Sequence, residues 1–319
     1  MKKVLKIIGK SLLLILIVFV LLMVGIFVYN KIMLKKEAFL REPIGQMVEV
    51  DGHYMSIYTE GEGKHTLVFM SGAGIPSPII DYKSLYSLLS DDYKIVVIEK
   101  FGYGYSDIVD SERNFDTILR QDREALAKAG INGPFILCPH SMSGLEAILW
   151  AQNYPEEVEA IVGLDMSVPQ GYNYDELKTT EDNSFNLLLL LRENGILRLT
   201  LSDNYLPDTY TDEDKKIYRA LACVKSGNKT VENEKLHIAE AIDMINGKSK
   251  PNVPILVFVS DGSGGTGVDK ETWRKYQREY ASGLMNVTIV ELDCGHMIHH
   301  FEPKKISENM REFIKGLDD

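Results

Sequence analysis

Short apolar segments alternate with longer segments of helical periodicity along most of the chain. The apolar segments have the length and composition of buried strands. They are TLVFM (66–70), YKIVVIE (93–99), PFILC (134–138), EAIVGLD (159–165), PILVFVS (254–260) and VTIVELD (287–293). Helices are predicted near 82–89, 115–130, 143–155, 270–281 and 304–315. Strands joined by helices form parallel crossovers, so the pattern predicts a doubly wound, mostly parallel α/β sheet.

Two segments depart from this alternation. QMVEV (46–50) and YMSIY (54–58) flank Asp51-Gly52, a two-residue turn signal, and predict an antiparallel hairpin at the start of the sheet. The helical stretch between Asp165 and Pro251 has about 85 residues, which is too long for a connecting loop. We therefore expect residues 167–250 to form a helical insertion between two parts of one core.

The run from Ser11 to Tyr29 contains no charged side chain. As a helix it would reach ~28 Å, close to the hydrocarbon thickness of a bilayer. A buried core helix would show a polar face, and a cleaved signal peptide would end in small residues. The run has neither feature. It predicts a transmembrane helix within an anchor of residues 1–36. Basic residues lie on both sides of it, so the charge bias nearly cancels, and a signal anchor with the large domain outside is the orientation we expect.

Charge is distributed unevenly along the 319 residues. Residues 1–41 hold eight of the 35 basic side chains but one of the 46 acidic ones, which leaves a net charge near −18 on the rest. Such a surface repels phosphate backbones, so nucleic acid is not an expected partner. The three cysteines, Cys138, Cys223 and Cys294, show no disulfide or metal-binding spacing.

The segment LCPHSMSGLEA (137–147) places Ser141 between a predicted strand and a predicted helix. This is the context of a nucleophile elbow with the pattern G-x-S-x-G, except that Pro139 and Ser143 replace the two glycines. The flanking positions must be small so that strand and helix can approach, and serine meets that need. Proline fits only where the position makes no ladder hydrogen bond. The alternative is an ordinary serine at the start of a helix.

Four segments resemble, in the same order, motifs of the α/β-hydrolase superfamily over roughly residues 44–316. MSGAGIPSP (70–78) is similar to its oxyanion loop, EKFGYGYSD (99–107) to the loop after its fourth strand, HSMSG (140–144) to its elbow, and CGHMIHHFEP (294–303) to its histidine loop. The chain resembles capped members such as proline iminopeptidases and haloalkane dehalogenases. The resemblance implies a helical cap at 167–250, inserted between core segments 37–166 and 251–319.

The resemblance also implies the site. Ser141 is the expected nucleophile and His296 the expected base, and the backbone N–H groups of Ala73 and Met142 are expected to form the oxyanion hole. The superfamily draws the acid that orients the histidine from the end of either of two strands. Asp165 is preferred, and Asp261 is the alternative.

Together these features predict a membrane-anchored serine hydrolase that cleaves an ester, thioester or amide. The alternatives are an aminopeptidase of the proline iminopeptidase type and a hydrolase fold that only binds or senses a ligand. Dehalogenase and epoxide hydrolase activities are disfavoured. The members of the superfamily with these activities use an aspartate nucleophile at the elbow, where this chain has Ser141. No cofactor or metal is expected, although His299 and His300 lie close to His296. The expected partners are a small acyl or peptide substrate and, through residues 11–29, the lipid bilayer of a cell membrane.

Overall fold

The computed structural model describes residues 2–172, 183–202 and 206–318. Eight strands form one sheet in the order β1-β2-β4-β3-β5-β6-β7-β8, in which β1, β2 and β4 pair antiparallel and the other neighbours pair parallel. The strands are β1 Gln46–Val50, β2 His53–Glu60, β3 Thr66–Met70, β4 Lys94–Glu99, β5 Phe135–Pro139, β6 Val158–Leu164, β7 Ile255–Val259 and β8 Val287–Glu291. The predicted doubly wound α/β fold is therefore confirmed, including the hairpin that opens the sheet.

Helices cover both faces of the sheet, so its central strands are mainly apolar. All residues of β3, β5 and β7 are buried, and two hydrophobic clusters lie on opposite faces. The helices of the core are α2 Pro78–Asp81, α3 Lys83–Tyr86, α4 Phe115–Lys128, α5 Ser143–Asn153, α11 Lys270–Ala281, α12 Ile298–Phe301 and α13 Pro303–Lys315.

Local sequence signals explain where these elements begin and end. In the first hairpin Asp51 and Gly52 both have positive φ, 52° and 77°, as the predicted two-residue turn requires. Helix α4 begins after Asn114, whose side chain accepts a hydrogen bond from the Thr117 N–H. The chain leaves this helix at Gly130, with φ 74°.

The segment between β6 and β7 is helical where the structure describes it. It contains α6 Asn183–Glu193, α7 Ile196–Thr200, α8 Asp212–Lys225, α9 Lys229–Leu236 and α10 Ile238–Asn246. This cap is held to the core by polar contacts. The Thr230 hydroxyl accepts from Val109 N–H at 2.8 Å and donates to Val109 C=O at 2.7 Å, while Asn228 donates to Gly102 C=O at 2.8 Å.

Helix α1, Lys2–Lys36, is long and apolar enough to cross a membrane, and none of its most apolar stretch is buried. Its C-terminal end packs on the cap. Asn30 is buried there and accepts a hydrogen bond of 2.9 Å from Arg198 Nε. Gly195 makes this approach possible, because a Cβ at that position would lie 2.5 Å from the Cβ of Asn30.

Candidate active site

Ser141 lies in a sharp turn between β5 and α5. Its φ is +52°, a left-handed value that non-glycine residues rarely adopt, and its side chain is partly exposed. The turn is crowded on two sides. A Cβ on Gly72 would lie 2.7 Å from the Cβ of Ser141, and a Cβ on Gly144 would lie 2.2 Å from the carbonyl oxygen of Ser167. These contacts explain why positions 72 and 144 are glycine. The close packing holds the turn in the strained geometry of a nucleophile elbow.

The structure accounts for the two residues that replace glycine in the elbow. Ser143 is buried, and its hydroxyl lies 2.7 Å from Met70 C=O and 3.0 Å from His140 N–H. This side chain therefore joins the end of β3 to the elbow. A glycine at 143 would remove both contacts.

Pro139 lies where the ladder between β5 and β6 is interrupted. The regular pairing ends at Leu137 and Ile161, and one isolated bridge follows between His140 and Leu164. The His140 N–H donates to Met70 on the β3 side, so the nitrogen of Pro139 faces the β6 side, where no regular pairing exists. Proline therefore costs this strand no ladder hydrogen bond.

Two backbone N–H groups are available beside Ser141. Met142, the residue after Ser141, is buried, and Ala73 lies in the loop that contains Gly72. Neither N–H donates to another group within the described part of the chain. The same loop is held from the far side by Tyr103, whose hydroxyl lies 3.4 Å from the Gly74 N–H.

His296 is paired with Asp165, the carboxylate that the sequence favoured. His296 Nδ1 lies 2.5 Å from Asp165 Oδ2. Because the carboxylate accepts, Nδ1 carries the hydrogen and Nε2 is left to take a proton. Asp165 is fully buried and also accepts from Ser260 N–H and hydroxyl at 2.7 Å each and from Trp273 Nε1 at 2.8 Å. These four donors hold the carboxylate in one orientation.

Asp165, like Ser141, has a positive φ, at +50°. The two turns interlock, since Ser167 N–H donates to Ser141 C=O at 2.7 Å. Asp261, the alternative acid, lies elsewhere. Its carboxylate accepts from Ser263 N–H at 2.9 Å, and hydrogen bonds from the side chain and the N–H of Ser263 hold the pKa of Asp261 below its usual value. The structure thus brings Asp165, and not Asp261, to His296.

His140 is a residue of the site that the sequence analysis did not single out. Its ring packs on that of His296, with ring centres 4.5 Å apart, and its Nε2 donates to His296 C=O at 3.1 Å. Burial lowers the pKa of His140 well below its usual value, so this imidazole is neutral. It therefore supports the histidine loop without adding a charge. Its position before Ser141 was the available signal.

A second histidine cluster lies behind His140. His299 donates to Asp81 at 2.9 Å, and His300 donates to the same carboxylate at 3.1 Å. Burial lowers the pKa of His299 to about 4. Ligand atoms of these three residues lie within 4.8 Å of one another and have the composition of a metal site. Their mutual hydrogen bonds, together with one of 3.1 Å from Tyr210 to Asp81 C=O, already account for the arrangement.

The GYGYSD segment is structural. Its loop encloses the buried carboxylate of Glu99, which accepts from Tyr105 N–H at 2.8 Å and approaches Ile79 N–H at 3.5 Å. A Cβ on Gly104 would overlap this carboxylate, at 2.0 Å from its carbon. Burial raises the pKa of Glu99 to about 7. The loop therefore packs around a buried side chain of the protein itself.

The chain resembles several known proteins in sequence or in structure. No protein-family model matches the chain. It is 37% identical to the uncharacterized protein YbdG of Bacillus subtilis (strain 168), over 99% of this chain and 98% of YbdG. It is 25% identical to the abhydrolase domain-containing protein C22H12.03 of Schizosaccharomyces pombe, over 60% of this chain and 68% of that protein. A loop variant of haloalkane dehalogenase DbeA-M1 from Bradyrhizobium elkanii has a similar structure, with a TM-score of 0.62 and 17% identity over 86% of this chain and 96% of the dehalogenase.

Proposed function

Because this chain has the α/β-hydrolase fold and belongs to the family of Bacillus subtilis YbdG, we propose that it is a serine hydrolase of esters, thioesters or amides. One observation carries the proposal. Ser141 is in a strained, partly exposed turn directly after His140, whose ring packs on His296, and a buried carboxylate fixes Nδ1 of His296. That is the arrangement in which a serine hydroxyl becomes a nucleophile.

In the proposed reaction Ser141 Oγ attacks the carbonyl carbon of the substrate, and its proton passes to His296 Nε2. The negative charge that develops on the carbonyl oxygen is stabilised by the N–H groups of Met142 and Ala73. His296 then gives the proton to the leaving alcohol, thiol or amine, and an acyl-enzyme remains. Water, activated by the same histidine, releases the acid. Asp165 keeps the imidazole in the productive tautomer and stabilises its protonated form.

The elbow separates this chain from its dehalogenase neighbour. A serine stands where an aspartate nucleophile is expected for dehalogenases and epoxide hydrolases. An acylated serine is the intermediate of ester, thioester and amide cleavage. The proposal is therefore acyl transfer to water, with no cofactor or metal in any step.

We also propose that α1 anchors the protein in a cell membrane as a single span, with the large domain on the extracytoplasmic side. The length, composition and exposure of α1 support a span. Its nineteen uncharged positions are followed by Lys31, Lys35 and Lys36, which suit the headgroup region. Residues 1–36 would then have no part in the chemistry.

The proposal is tested by labelling the purified full chain with a fluorophosphonate, which reacts only with an activated serine. We expect labelling that is lost in Ser141→Ala and His296→Ala and kept in Ser87→Ala, a change at an exposed serine outside the site. Hydrolysis of p-nitrophenyl acyl esters should fall by at least ~10³-fold in either triad variant, and the double variant should lose little more.

Other outcomes identify the alternatives. A folded full chain that is not labelled would support the binding or sensing protein instead. Labelling with turnover of aminoacyl anilides, and none of simple acyl esters, would identify the aminopeptidase. Hydrolysis that persists in Ser141→Ala would disprove the assignment of the nucleophile.

A further inference from the structure

A cavity of about 550 Å³ lies between the C-terminal end of α1 and the cap. Its size is in the range of small-molecule sites. We call it the α1–cap cavity, and its lining includes Tyr29, Met33 and Phe39 on the side of α1 and Arg198, Leu199 and Lys216 on the side of the cap. It contains no residue of the proposed triad or oxyanion hole. It is therefore separate from the site at which the chemistry is proposed.

Of the ten residues that line the cavity, six are apolar or aromatic, three are basic and one is acidic. Three basic side chains, Arg198, Lys216 and Arg219, face one acidic side chain, Glu37. Apolar residues complete the wall, and two of them project outward, since Phe39 is 66% exposed and Leu199 is 57% exposed. A ligand that complements both the apolar and the basic residues of the lining carries a negative charge next to an apolar chain.

Arg198 gives the cavity a built polar wall. It is 9% exposed, donates through Nε to Asn30 and through Nη1 to Glu37 at 2.8 Å, and is thereby fixed in place. Its third nitrogen, Nη2, is buried without a hydrogen-bond partner among the residues described. An unsatisfied guanidinium N–H is costly, and an anionic oxygen is its strongest partner.

The cavity also has a defined depth relative to a bilayer. Tyr29 is the last residue of the uncharged run of α1, and Met33 lies one turn beyond it. With α1 spanning a membrane, these wall residues lie where hydrocarbon gives way to headgroups, the level at which tyrosine is enriched. A phosphate group and the first carbons of an acyl chain both occur at this level of a bilayer.

We propose that the α1–cap cavity binds one anionic phospholipid of the surrounding membrane, with its phosphate on the basic side chains and its upper acyl chain on the apolar wall. This inference rests on the proposed anchoring of α1, but not on the proposed chemistry. The bound lipid is a fixed component that joins the end of the span to the cap. It is not a substrate, because the triad lies elsewhere.

Calorimetric titration of the full chain in non-ionic detergent tests the proposal, with dioctanoyl phosphatidylglycerol, dioctanoyl phosphatidylcholine and glycerol 3-phosphate as the three probes. We expect the phosphatidylglycerol to bind at one site and the other two to bind at least roughly ten-fold more weakly. Lys216→Gln should weaken binding of the anionic lipid by about five-fold, the effect of one basic residue near a lipid surface. Lys215→Gln, one residue away on α8 and outside the cavity lining, is the matched control and should bind as the unchanged protein does.

Equal binding of the two lipids, or equal loss in Lys216→Gln and Lys215→Gln, would overturn the inference. Binding of glycerol 3-phosphate as tight as that of the lipid would identify a soluble phosphate ligand and overturn it as well. Two further measurements on the same preparation separate it from the proposed function. Fluorophosphonate labelling reports the chemistry, and flotation with phosphatidylcholine vesicles reports the anchor, so each failure is seen by itself.

Discussion

At the scale of single residues, the site depends on backbone conformations that side chains alone do not reveal. Apart from Asp51 in the first hairpin, Ser141 and Asp165 are the described non-glycine residues with positive φ. Such positions are strained, and the surrounding contacts must hold them. Both lie at the carboxyl ends of neighbouring strands, β5 and β6. The strain and the proposed chemistry therefore occur at the same two residues.

The roles proposed for the two aspartates lead to opposite expectations. Asp165→Asn should lower kcat by roughly 10³-fold or more, because an amide can turn its N–H toward His296 and favour the wrong tautomer. Asp261→Asn should leave kcat close to unchanged, because this side chain bonds only its own loop. Steady-state hydrolysis of one ester by both variants is the measurement. The reverse ranking would assign the acid to Asp261.

The loop after β7 offers a matched pair of glycines. A Cβ on Gly265 would lie 2.3 Å from Cδ2 of His296, so Gly265→Ala should displace the imidazole and lower kcat/KM by roughly 10²-fold. Gly264 has open space around it but a φ of +77°. Gly264→Ala should therefore cost about 1–2 kcal/mol of stability and leave kcat/KM nearly intact.

Ester hydrolysis and urea unfolding of both alanine variants check this pair. Equal losses of kcat/KM would show that the shape of the loop, and not contact with the ring, controls the position of His296.

Part of this site was predictable from sequence. Ser141 and His296 follow from their motifs, and the small side chain of Ser143 follows from the packing need of an elbow. The sequence favoured Asp165 over Asp261 but left both open, because the answer depends on which carboxylate the folded sheet brings to the imidazole. The contact between His140 and His296 was not predicted, because it depends on how the histidine loop packs on the elbow in the folded chain.

At the scale of elements, the apolar runs predicted six of the eight strands, and the turn signal at Asp51-Gly52 predicted the hairpin of β1 and β2. The signal is most continuous in β3, β5 and β7, because these strands are buried throughout. The attachment of the cap was not predictable. It depends on long-range polar pairs, such as the buried ion pair between Lys100 in the core and Glu234 in α9. Neither sequence neighbourhood shows that these two side chains meet.

Lys225, on α8, gives the attachment of the cap a pH dependence. Its ammonium donates to Ser106 C=O in the core, and burial lowers the pKa of Lys225 to about 8 from an ordinary value of 10.5. Between these two values the unfolded chain keeps the proton and the folded chain has lost it, so this residue adds stability as pH rises. From pH 7.5 to 9.5 the unchanged protein should gain about 2 kcal/mol relative to Lys225→Met.

Urea unfolding of both proteins at the two pH values measures this difference. Lys275→Met is the control, because Lys275 is exposed and should show no comparable trend. A gain that is absent, or of opposite sign, would mean that Lys225 stays charged in the folded state.

At the scale of the whole molecule, the apolar helix and the cap are in direct contact. Asn30 of α1 and Glu37 just after it both bond Arg198 of the cap. The sequence separated an anchor of residues 1–36 from the rest because hydropathy changes there. Hydropathy could not show that the last turns of the helix also belong to the packing of the cap.

Two truncations separate the proposed anchoring role of α1 from its packing on the cap. A chain that starts at Glu37 should fold and react with a fluorophosphonate, but it loses Asn30 and leaves Arg198 Nε unpaired, which costs about 1–3 kcal/mol. A chain that starts at Tyr29 keeps this contact and should have the higher Tm. Thermal unfolding and labelling of the two chains are the measurements, and Asn30→Ala in the full chain should reproduce the loss. Equal Tm values for the two truncations would show that the contact carries no stability.

The contact between α1 and the cap has a consequence for how the protein meets its substrate. Helix α1 ends at Lys36, a short helical turn covers Ala38–Arg41, and β1 begins at Gln46, so little free chain separates the span from the sheet. With α1 in a bilayer, Ser141, the proposed nucleophile, is held at one height above the surface, and the protein moves along the membrane only by lateral diffusion. For a substrate carried in the same membrane, the quantity that sets the rate is then the number of substrate molecules per unit area. Dilution of such vesicles at constant lipid composition leaves the turnover per enzyme unchanged, whereas a water-soluble substrate is diluted with the volume.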